Sequence, residues 1–325
     1  MSKLATLVFV PGAWHRTTCY DKIVPALEAR YHIKCRSVSL PSTSGDPNAT
    51  FKDDLDAARA VIASETTQSR NVVLVAHSYG GMVANSAIKG FTGGPGNAAI
   101  DSSVSPGRVI GLVLIASGFT LTGLSFMDPF FHIPPPSWRV NKETGFADIV
   151  LTPRQFFYHD IPEDEADDRI AQLTPQSLKA LFEGGEHSYA GWRDVPVWYI
   201  GTIEDQGLPV AIQRVQVGMA RGVGALVKHR ELRSSHSPFL SQPDEVVDLL
   251  VEAVAEFTGK RMEGSKAEGV RNQVQTPAVT IWSPSSWLKY GLPLAIGHII
   301  GWCLLLFYGA RKLWQASVGT KEKSR

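Results

Sequence analysis

The most constraining feature of the sequence is a strand-like run that leads directly into a serine and two glycines. Residues 72–76 are Val-Val-Leu-Val-Ala, and His-Ser-Tyr-Gly-Gly follows without a break. An aliphatic run of this length predicts a strand that is buried on both faces, as in a parallel sheet. The small residues of 79–89 predict a helix. Ser78 is therefore expected at a sharp turn between a buried strand and a helix.

The rest of residues 1–259 repeats this alternation of apolar strands and helices. Such alternation predicts an α/β domain with a mostly parallel sheet and helices on both faces. The predicted strands are residues 4–10, 33–40, 72–76, 109–116, 195–201 and 225–232. The predicted helices are residues 20–30, 51–64, 79–89, 212–221 and 243–257.

Between residues 119 and 194 the alternation breaks down. This stretch contains three consecutive prolines and many aromatic residues, with short helical pieces at 163–172 and 175–183. It is too long for a simple connection between two elements. We expect a cap that is inserted over the carboxyl edge of the sheet. Further α/β units with poor patterning are the alternative.

The composition after this domain changes twice. Residues 260–280 are polar and rich in Gly, Ser and Lys, which is typical of a linker. In the tail, 281–325, residues 290–310 contain no charged residue, with aromatic residues before them and basic residues after them. This pattern predicts a single-pass transmembrane helix. Gly297 and Gly301 weaken that interpretation, and a helix that lies on the membrane or docks on the domain is the alternative.

Charge and cysteine content exclude several classes of protein. The 325 residues include 32 Lys and Arg and 31 Asp and Glu, for a formal net charge of +1. Nucleic-acid binding needs an excess of basic residues, so no nucleic-acid partner is expected. Cys19, Cys35 and Cys303 have neither the spacing of a zinc site nor that of a disulfide framework. The N-terminal apolar run ends early, at Pro11, which is not typical of a secretory signal.

The segment around Ser78 matches the G-x-S-x-G nucleophile pattern, with Ala76 in place of the first glycine. In this pattern the residues two before and two after the serine pack closely and must be small, as Ala76 and Gly80 are. The start of the following helix favours negative charge beside the serine. We therefore expect Ser78 to be a catalytic nucleophile. A glycine-rich turn with an ordinary serine is the alternative.

A nucleophilic serine needs a neighbouring base, and the base needs a carboxylate that orients it. Where this elbow occurs, the chain order is serine, acid, histidine. His236 is the candidate base, because it lies in the loop between the last predicted strand and the final helix. Glu204 and Asp205 both follow strand 195–201, and spacing alone does not choose between them.

Acyl transfer also needs two N–H donors for the developing oxyanion. One is expected from the backbone of Tyr79, which directly follows the serine. The other is expected from the loop after the first strand, from Ala13 or, failing that, from Gly12. A tryptophan at position 14 would be expected equally in the wall of a pocket or in the hydrophobic core. The residues that we expect to line the substrate pocket are Gly12, Trp14, His15 and His77.

Four segments together resemble the α/β-hydrolase fold superfamily, and most closely the small plant methylesterase and hydroxynitrile lyase group with its microbial relatives. The resemblance spans residues 4–258 and implies an α/β-hydrolase fold. It favours Asp205 as the acid and supports Ala13 and Tyr79 as oxyanion donors. The usual His-Gly of the first loop is Pro-Gly here, a departure that leaves the catalytic atoms in place and leaves the shape of the pocket entrance unpredicted. The matching segments are 9–15 (Phe-Val-Pro-Gly-Ala-Trp-His), 77–81 (His-Ser-Tyr-Gly-Gly), 204–209 (Glu-Asp-Gln-Gly-Leu-Pro) and 235–239 (Ser-His-Ser-Pro-Phe).

The resemblance leaves ester hydrolysis and cyanohydrin cleavage to be distinguished. Lyases of this group carry a lysine directly after the catalytic histidine, whereas this chain has Ser237. We therefore expect a serine hydrolase that cleaves an ester, thioester or lactone through an acyl-enzyme, without a metal or organic cofactor. A non-catalytic small-molecule binding protein, or a carbon–carbon bond hydrolase or lyase in natural-product tailoring, is the alternative. Aromatic residues of the cap suggest an apolar substrate: Phe126, Phe130, Phe131, Trp138, Phe156 and Phe157.

The expected cellular location is inferred from sequence features at both ends of the chain. Without an N-terminal signal, a C-terminal membrane helix predicts a tail-anchored protein with a cytosolic catalytic domain. Residues 321–325 resemble a dilysine retrieval signal of the endoplasmic reticulum, which requires a cytosolic C-terminus and therefore conflicts with a tail anchor. We give the missing signal more weight. The endoplasmic reticulum is one candidate organelle, and the oligomeric state is not predicted.

Overall fold

The computed structural model describes residues 5–93, 106–260 and 274–322 of the chain. Most of its strands lie where the sequence predicts them. In chain order the strands of the described ranges are β1 (Thr6–Val10), β2 (Cys35–Ser37), β3 (Val72–His77), β4 (Val109–Ile115), β5 (Trp138–Asn141), β6 (Phe146–Ile149), β7 (Gln176–Ser177), β8 (Val197–Thr202), β9 (Val227–Leu232) and β10 (Val274–Gln275).

A central sheet has the strand order β10-β9-β8-β4-β3-β1-β2 within the described residues. Its strands run parallel except for β10, which pairs antiparallel with β9. The predicted mostly parallel sheet is confirmed. All residues of β3 are buried, as its aliphatic sequence requires of a central strand that is covered on both faces.

Helices cover both faces of this sheet. On β4, Gly111 faces the ring of Phe257, whereas Leu114 contacts the position of Gly81. These two β4 positions point to opposite faces because side chains alternate along a strand. The helices of the described ranges are α1 (Val24–Tyr31), α2 (Phe51–Thr66), α3 (Gly80–Ala87), α4 (Pro153–Phe157), α5 (Glu163–Ala171), α6 (Leu178–Phe182), α7 (Val210–Gly222), α8 (Pro238–Ser241), α9 (Pro243–Thr258), α10 (Pro284–Ser286) and α11 (Leu292–Glu322).

Some local predictions are wrong. The predicted strand 33–40 is reduced to β2, and the helix predicted from residue 20 begins at Val24, because proline at position 25 favours the first turn of a helix. The predicted helical piece 175–183 starts with strand β7. There the buried Ser177 hydroxyl donates to the Ala49 carbonyl at 2.7 Å, which holds this part of the chain extended.

The segment between β4 and β8 forms a separate layer beside the carboxyl edge of the sheet. Its strands β5, β6 and β7 make a small antiparallel sheet, and the same segment contains helices α4, α5 and α6. The indole Nε1 of Trp14, in the loop after β1, donates to the Ala147 carbonyl of β6 at 2.9 Å. The inserted segment is thereby attached to the loop that follows the first strand.

The C-terminal part of the chain is joined to the sheet. The predicted linker 260–280 falls mostly outside the described residues, but Val274 and Gln275 are not linker, because they pair with Leu232 and Glu231 of β9. A π-helical turn precedes α11, which packs along α7.

Glu65, near the end of α2, holds together the amino ends of β1, β2 and β3. Its buried carboxylate accepts hydrogen bonds from the Thr6 hydroxyl at 2.9 Å, from Lys34 Nζ at 2.8 Å and from Arg70 Nε. Burial opposes ionisation of this carboxyl, but the three donors outweigh burial and lower its pKa to about 2.

We predict that Glu65 makes stability depend on acid. Because its pKa lies below the ordinary 4.5, the ionised carboxylate stabilises the fold above that pH, and this stabilisation is lost as the pH falls towards 2. The loss amounts to at most about 3 kcal/mol. Urea unfolding between about pH 5 and about pH 2 should therefore show a shallower pH dependence for Glu65→Gln than for the wild type. The exposed Glu143→Gln is the control, and equal slopes for Glu65→Gln and the wild type would contradict the assignment.

Candidate active site

Ser78 lies in a strained turn between β3 and α3. Its backbone has a φ of 49°, in the left-handed region that is unfavourable for residues other than glycine. The Ser117 hydroxyl donates to the Ser78 carbonyl at 2.6 Å, and the Ser78 N–H donates to the Ile115 carbonyl at 3.2 Å. The end of β4 therefore holds the serine in this conformation.

Gly80 allows the loop after β1 to lie against this turn. A Cβ at residue 80 would lie 2.3 Å from the Pro11 carbonyl oxygen and 2.5 Å from that of Val10, much closer than real carbon atoms approach. On the same loop, a Cβ at Gly12 would lie 3.0 Å from Ser78 Cβ. Small residues at positions 12 and 80 thus bring the first loop beside the serine.

The two expected oxyanion donors lie beside Ser78. Ala13 and Tyr79 line the same cavity as the serine. Neither backbone N–H donates a hydrogen bond to another group in the part of the chain that the structure describes. The Tyr79 hydroxyl points away from the cavity and donates to the buried Asp54 carboxylate at 2.7 Å. Burial raises the pKa of Asp54 to about 6.

His236 and Asp205 form a buried hydrogen-bonded pair. The distance from His236 Nδ1 to Asp205 Oδ2 is 2.7 Å. The Asp205 carboxylate also accepts from the Thr202 hydroxyl and from the N–H groups of Gly207 and Leu208, each at 2.7 Å. These donors fix both carboxylate oxygens, so Asp205 can hold the imidazole in one orientation.

The structure separates Asp205 from the other candidate acid. The Glu204 carboxylate accepts from Arg233 at 2.9 Å on the surface, while its backbone carbonyl accepts from His159 at 2.9 Å. Adjacent residues of this turn point in different directions, which spacing in the sequence could not decide. Asp205, and not Glu204, contacts His236.

The cap holds the His236 loop through contacts that the sequence does not predict. The Ser235 N–H donates to Asp160 at 2.7 Å, and the Ser235 hydroxyl donates to the Phe157 carbonyl at 2.8 Å. From the sheet, His77 Nε2 donates to the His236 carbonyl at 2.9 Å. No spacing rule links residues 157–160 to residue 235, so only the folded chain reveals these contacts.

Three of the predicted pocket residues lie behind the cavity wall instead of in it: Gly12, His15 and His77. His15 is buried, and both of its ring nitrogens have partners there: Nδ1 donates to the Ala13 carbonyl at 2.7 Å and Nε2 accepts from the Tyr158 hydroxyl at 2.8 Å. Burial lowers the pKa of His15 to about 4 and that of His77 well below 6.5, so both are neutral at pH 7. The ring of His15 supports Ala13 from behind.

The cavity itself has a volume of about 590 Å³ and contains Ser78 and His236 together. Trp14 lines it, as predicted. Phe131, by contrast, is exposed outside the cavity, because the loop turns it towards solvent. Two lining residues, Ile300 and Leu304, come from α11, which the sequence analysis did not expect. Of the cap aromatics, those that line the cavity are Phe126, Phe130, Trp138, Phe156 and Phe157.

We predict that Gly80→Ala lowers stability, because its Cβ would displace the backbone of Val10 and Pro11. Overpacking of this kind typically costs about 1–3 kcal/mol, which thermal unfolding can measure. Gly93→Ala is the control, since its Cβ would meet only the flexible Arg108 side chain. An unchanged midpoint for Gly80→Ala would show that the first loop moves freely relative to the turn.

Comparisons with known proteins agree with this architecture. The model of the Alpha/beta hydrolase family matches residues 7–249. An alpha/beta hydrolase, nvfD of Aspergillus novofumigatus, is 27% identical over 253 residues, which cover 77% of this chain and 96% of that protein. Methylesterase 17 of Arabidopsis thaliana is 24% identical, over 74% of this chain and 87% of that protein.

Among solved structures, that of polyneuridine aldehyde esterase superposes with a TM-score of 0.59 at 23% identity, over 77% of this chain and 99% of that chain. At this identity the match shows the fold. The resemblance inferred from the four sequence segments is confirmed. The chain belongs to the alpha/beta hydrolase family and is a hydrolase, and the proteins that it resembles include esterases.

Proposed function

We propose that this enzyme is a serine hydrolase that cleaves the ester, thioester or lactone bond of an apolar small molecule through an acyl-enzyme. The observation that carries the proposal is the buried His236–Asp205 pair, which shares one cavity with a serine in a strained turn. A serine with an ordinary structural role would need neither the strained backbone nor the oriented histidine.

In the proposed mechanism Ser78 Oγ attacks the acyl carbonyl while His236 accepts the serine proton. Asp205 keeps Nδ1 of His236 protonated and stabilises the imidazolium that forms. The protonated His236 then donates its proton to the leaving alcohol or thiol. A water molecule, deprotonated by the same histidine, hydrolyses the acyl-enzyme and restores the hydroxyl of Ser78.

The backbone N–H groups of Ala13 and Tyr79 stabilise the negative oxygen in both steps. Both N–H groups are free of other acceptors within the described residues, and both border the cavity beside Ser78. Such donors are effective because they are already oriented before charge develops. The hydrogen bond from His15 to the Ala13 carbonyl fixes the peptide that follows this donor.

An apolar substrate is favoured by the lining of the cavity. Its surface is mostly apolar and includes aromatic side chains from the cap and aliphatic side chains from α7 and α11, whereas charged side chains are absent among the described lining residues. Cyanohydrin cleavage is disfavoured, because Ser237 provides no positive charge for a departing cyanide.

We predict that a fluorophosphonate probe labels the full-length wild type and that Ser78→Ala and His236→Ala abolish labelling. Asp205→Asn should lower ester turnover by about three to four orders of magnitude, because the histidine would adopt the wrong tautomer. Glu204→Gln is the matched control and should keep full activity, since Glu204 contacts Arg233 and not His236.

These measurements also decide the alternatives. A folded wild type that neither reacts with the probe nor hydrolyses ester, thioester or lactone panels would contradict the proposal and favour a small-molecule binding protein. Labelling of Ser78 without turnover of any of these panels would direct the search to carbon–carbon bond cleavage.

We also propose that the apolar C-terminal helix attaches the enzyme to a membrane, with the catalytic domain in the cytosol. In support, residues 284–307 are long and apolar enough for a membrane segment, and Ile299, Trp302 and Leu306 are exposed on one side of α11. The exposed cap residues Phe131 and Ile133 add apolar surface.

We predict that the full-length protein floats with phosphatidylcholine vesicles in a density gradient. Ile299→Lys with Leu306→Lys should reduce flotation strongly, because a charge on the lipid-facing side is costly to bury. Glu143→Lys, on the exposed hairpin of the cap, should float like the wild type. Flotation that is equal in all three proteins would contradict attachment through this face of α11.

A further inference from the structure

We propose that helix α11 is part of the substrate-binding site, and that Ile300 and Leu304 form one wall of an apolar subsite for the hydrocarbon part of the ester. The inference rests on the proposed hydrolase function and specifies where the apolar group of the substrate binds. From α7 the subsite includes Ile212, Val215 and Met219.

Backbone-to-backbone packing holds α11 against α7. A Cβ at Gly297 would lie 2.1 Å from the Val215 carbonyl oxygen, and a Cβ at Gly218 would lie 2.3 Å from that of Leu294. One turn later, a Cβ at Gly301 would lie 2.5 Å from another carbonyl of α7. Glycines spaced four residues apart allow helices to approach this closely. The contact therefore depends on residues at matching positions of both helices.

Polar contacts also fix the residues directly before α11. Arg214 of α7 forms a buried two-point ion pair with Glu231, with both distances 2.7 Å. Its remaining Nη1 donates to the Lys289 carbonyl at 2.9 Å, and its guanidinium lies 4.6 Å from the ring centroid of Tyr290. The Tyr290 hydroxyl donates to Gln275 of β10 at 3.2 Å. The helix thus starts from a fixed point on the catalytic domain.

The orientation set by these contacts divides α11 into two apolar faces. Ile300 and Leu304 are one turn apart on the side that borders the cavity with Ser78 and His236. Leu304 also packs against the hydrophobic core. Ile299 and Leu306 lie on the outer side and are 58% and 74% exposed, whereas Ile300 lies at the edge of the inner side and is 42% exposed. A simple anchor would need only the outer side, so the inner side indicates a role in the pocket.

The α11 wall of the subsite, unlike its α7 residues, lies outside the part of the chain that the family model covers. That model ends at residue 249, and relatives that match over nearly their whole length cover about three quarters of this chain. The wall provided by α11 is therefore an addition to the matched hydrolase domain, and it gives this chain a means of substrate selection that the matched region does not contain.

The first test uses larger side chains to fill the subsite in the full-length protein. Leu304→Phe and Ile300→Phe are compared with Leu306→Phe and Ile299→Phe on the outer face, which are matched in chemistry and helix position. Substrates are p-nitrophenyl acetate and octanoate for the acyl side, and methyl and octyl acetate for the alcohol side. We expect kcat/KM for the long member of at least one series to fall about tenfold in the inner-face variants, with the short members and the outer-face variants unchanged.

A second variant tests whether the subsite depends on the packing of α11 against α7. Gly297→Leu combined with Gly301→Leu should separate α11 from α7, because the added side chains would overlap the α7 backbone. We expect the preference for long over short esters to shrink, while fluorophosphonate labelling and acetate turnover persist. Unchanged preference in both the inner-face and the glycine variants, with an active wild type, would overturn the inference.

The design separates failure of the subsite from failure of the proposed function. If the wild type is folded but does not react with esters or with fluorophosphonate, the hydrolase proposal fails. Binding of p-nitrophenyl octanoate is then measured through quenching of tryptophan fluorescence, since Trp14 and Trp138 line the cavity. Binding weakened about tenfold by Leu304→Phe but not by Leu306→Phe would support the subsite, and equal binding would overturn it.

Discussion

The candidate active site depends on a close backbone contact between the carboxyl ends of β1 and β3, which are parallel neighbours in the sheet. Gly80, directly after the serine turn, touches the carbonyl groups of Val10 and Pro11, and no side chain can be placed between them. This contact brings the first loop to Ser78, so that Ala13 becomes a neighbour of the nucleophile. The φ of Ser78 is unfavourable by itself and persists because β4 and the first loop hold the turn from two sides. Packing at one glycine thus determines the positions of both Ser78 and Ala13, which is one of the two proposed oxyanion donors.

The histidine depends on a different part of the chain. His236 is oriented by Asp205, but the loop that carries it is held by Asp160 and Phe157 of the cap. The cap therefore has two effects, since it forms a large part of the cavity wall and also positions His236, the proposed base. A substitution in the cap can change substrate preference and turnover together for this reason, even when the residue does not touch the substrate.

The sequence predicted those parts of the structure that local pattern determines. The strand before Ser78, the alternation of strands and helices and the position of His236 follow from short segments, because a buried strand and a tight turn each need particular residue types. The choice between Glu204 and Asp205 was not predictable from spacing, since a loop turns adjacent side chains in different directions. His15 and His77 were expected in the pocket, but both rings are buried behind its wall, where both nitrogens of His15 and Nε2 of His77 have hydrogen-bond partners in the interior. Contacts between distant segments, such as residues 157–160 with residue 235, have no local signal.

The tail shows why hydropathy alone is an incomplete guide. Lipid and protein interior favour the same apolar side chains, so the hydropathy of residues 290–310 is compatible with a helix in a bilayer and with a helix packed against protein. The glycines that weakened the transmembrane interpretation are the residues that contact α7, and Leu304 on the same side contacts the core. Lipid therefore does not surround the first turns of α11, and a bilayer can reach only the sides of the helix that face away from α7, where Ile299 and Leu306 are among the exposed residues. A membrane attached to that face would lie next to the wall of the substrate cavity. An apolar ester dissolved in the bilayer would then meet the enzyme at the helix that helps to select it.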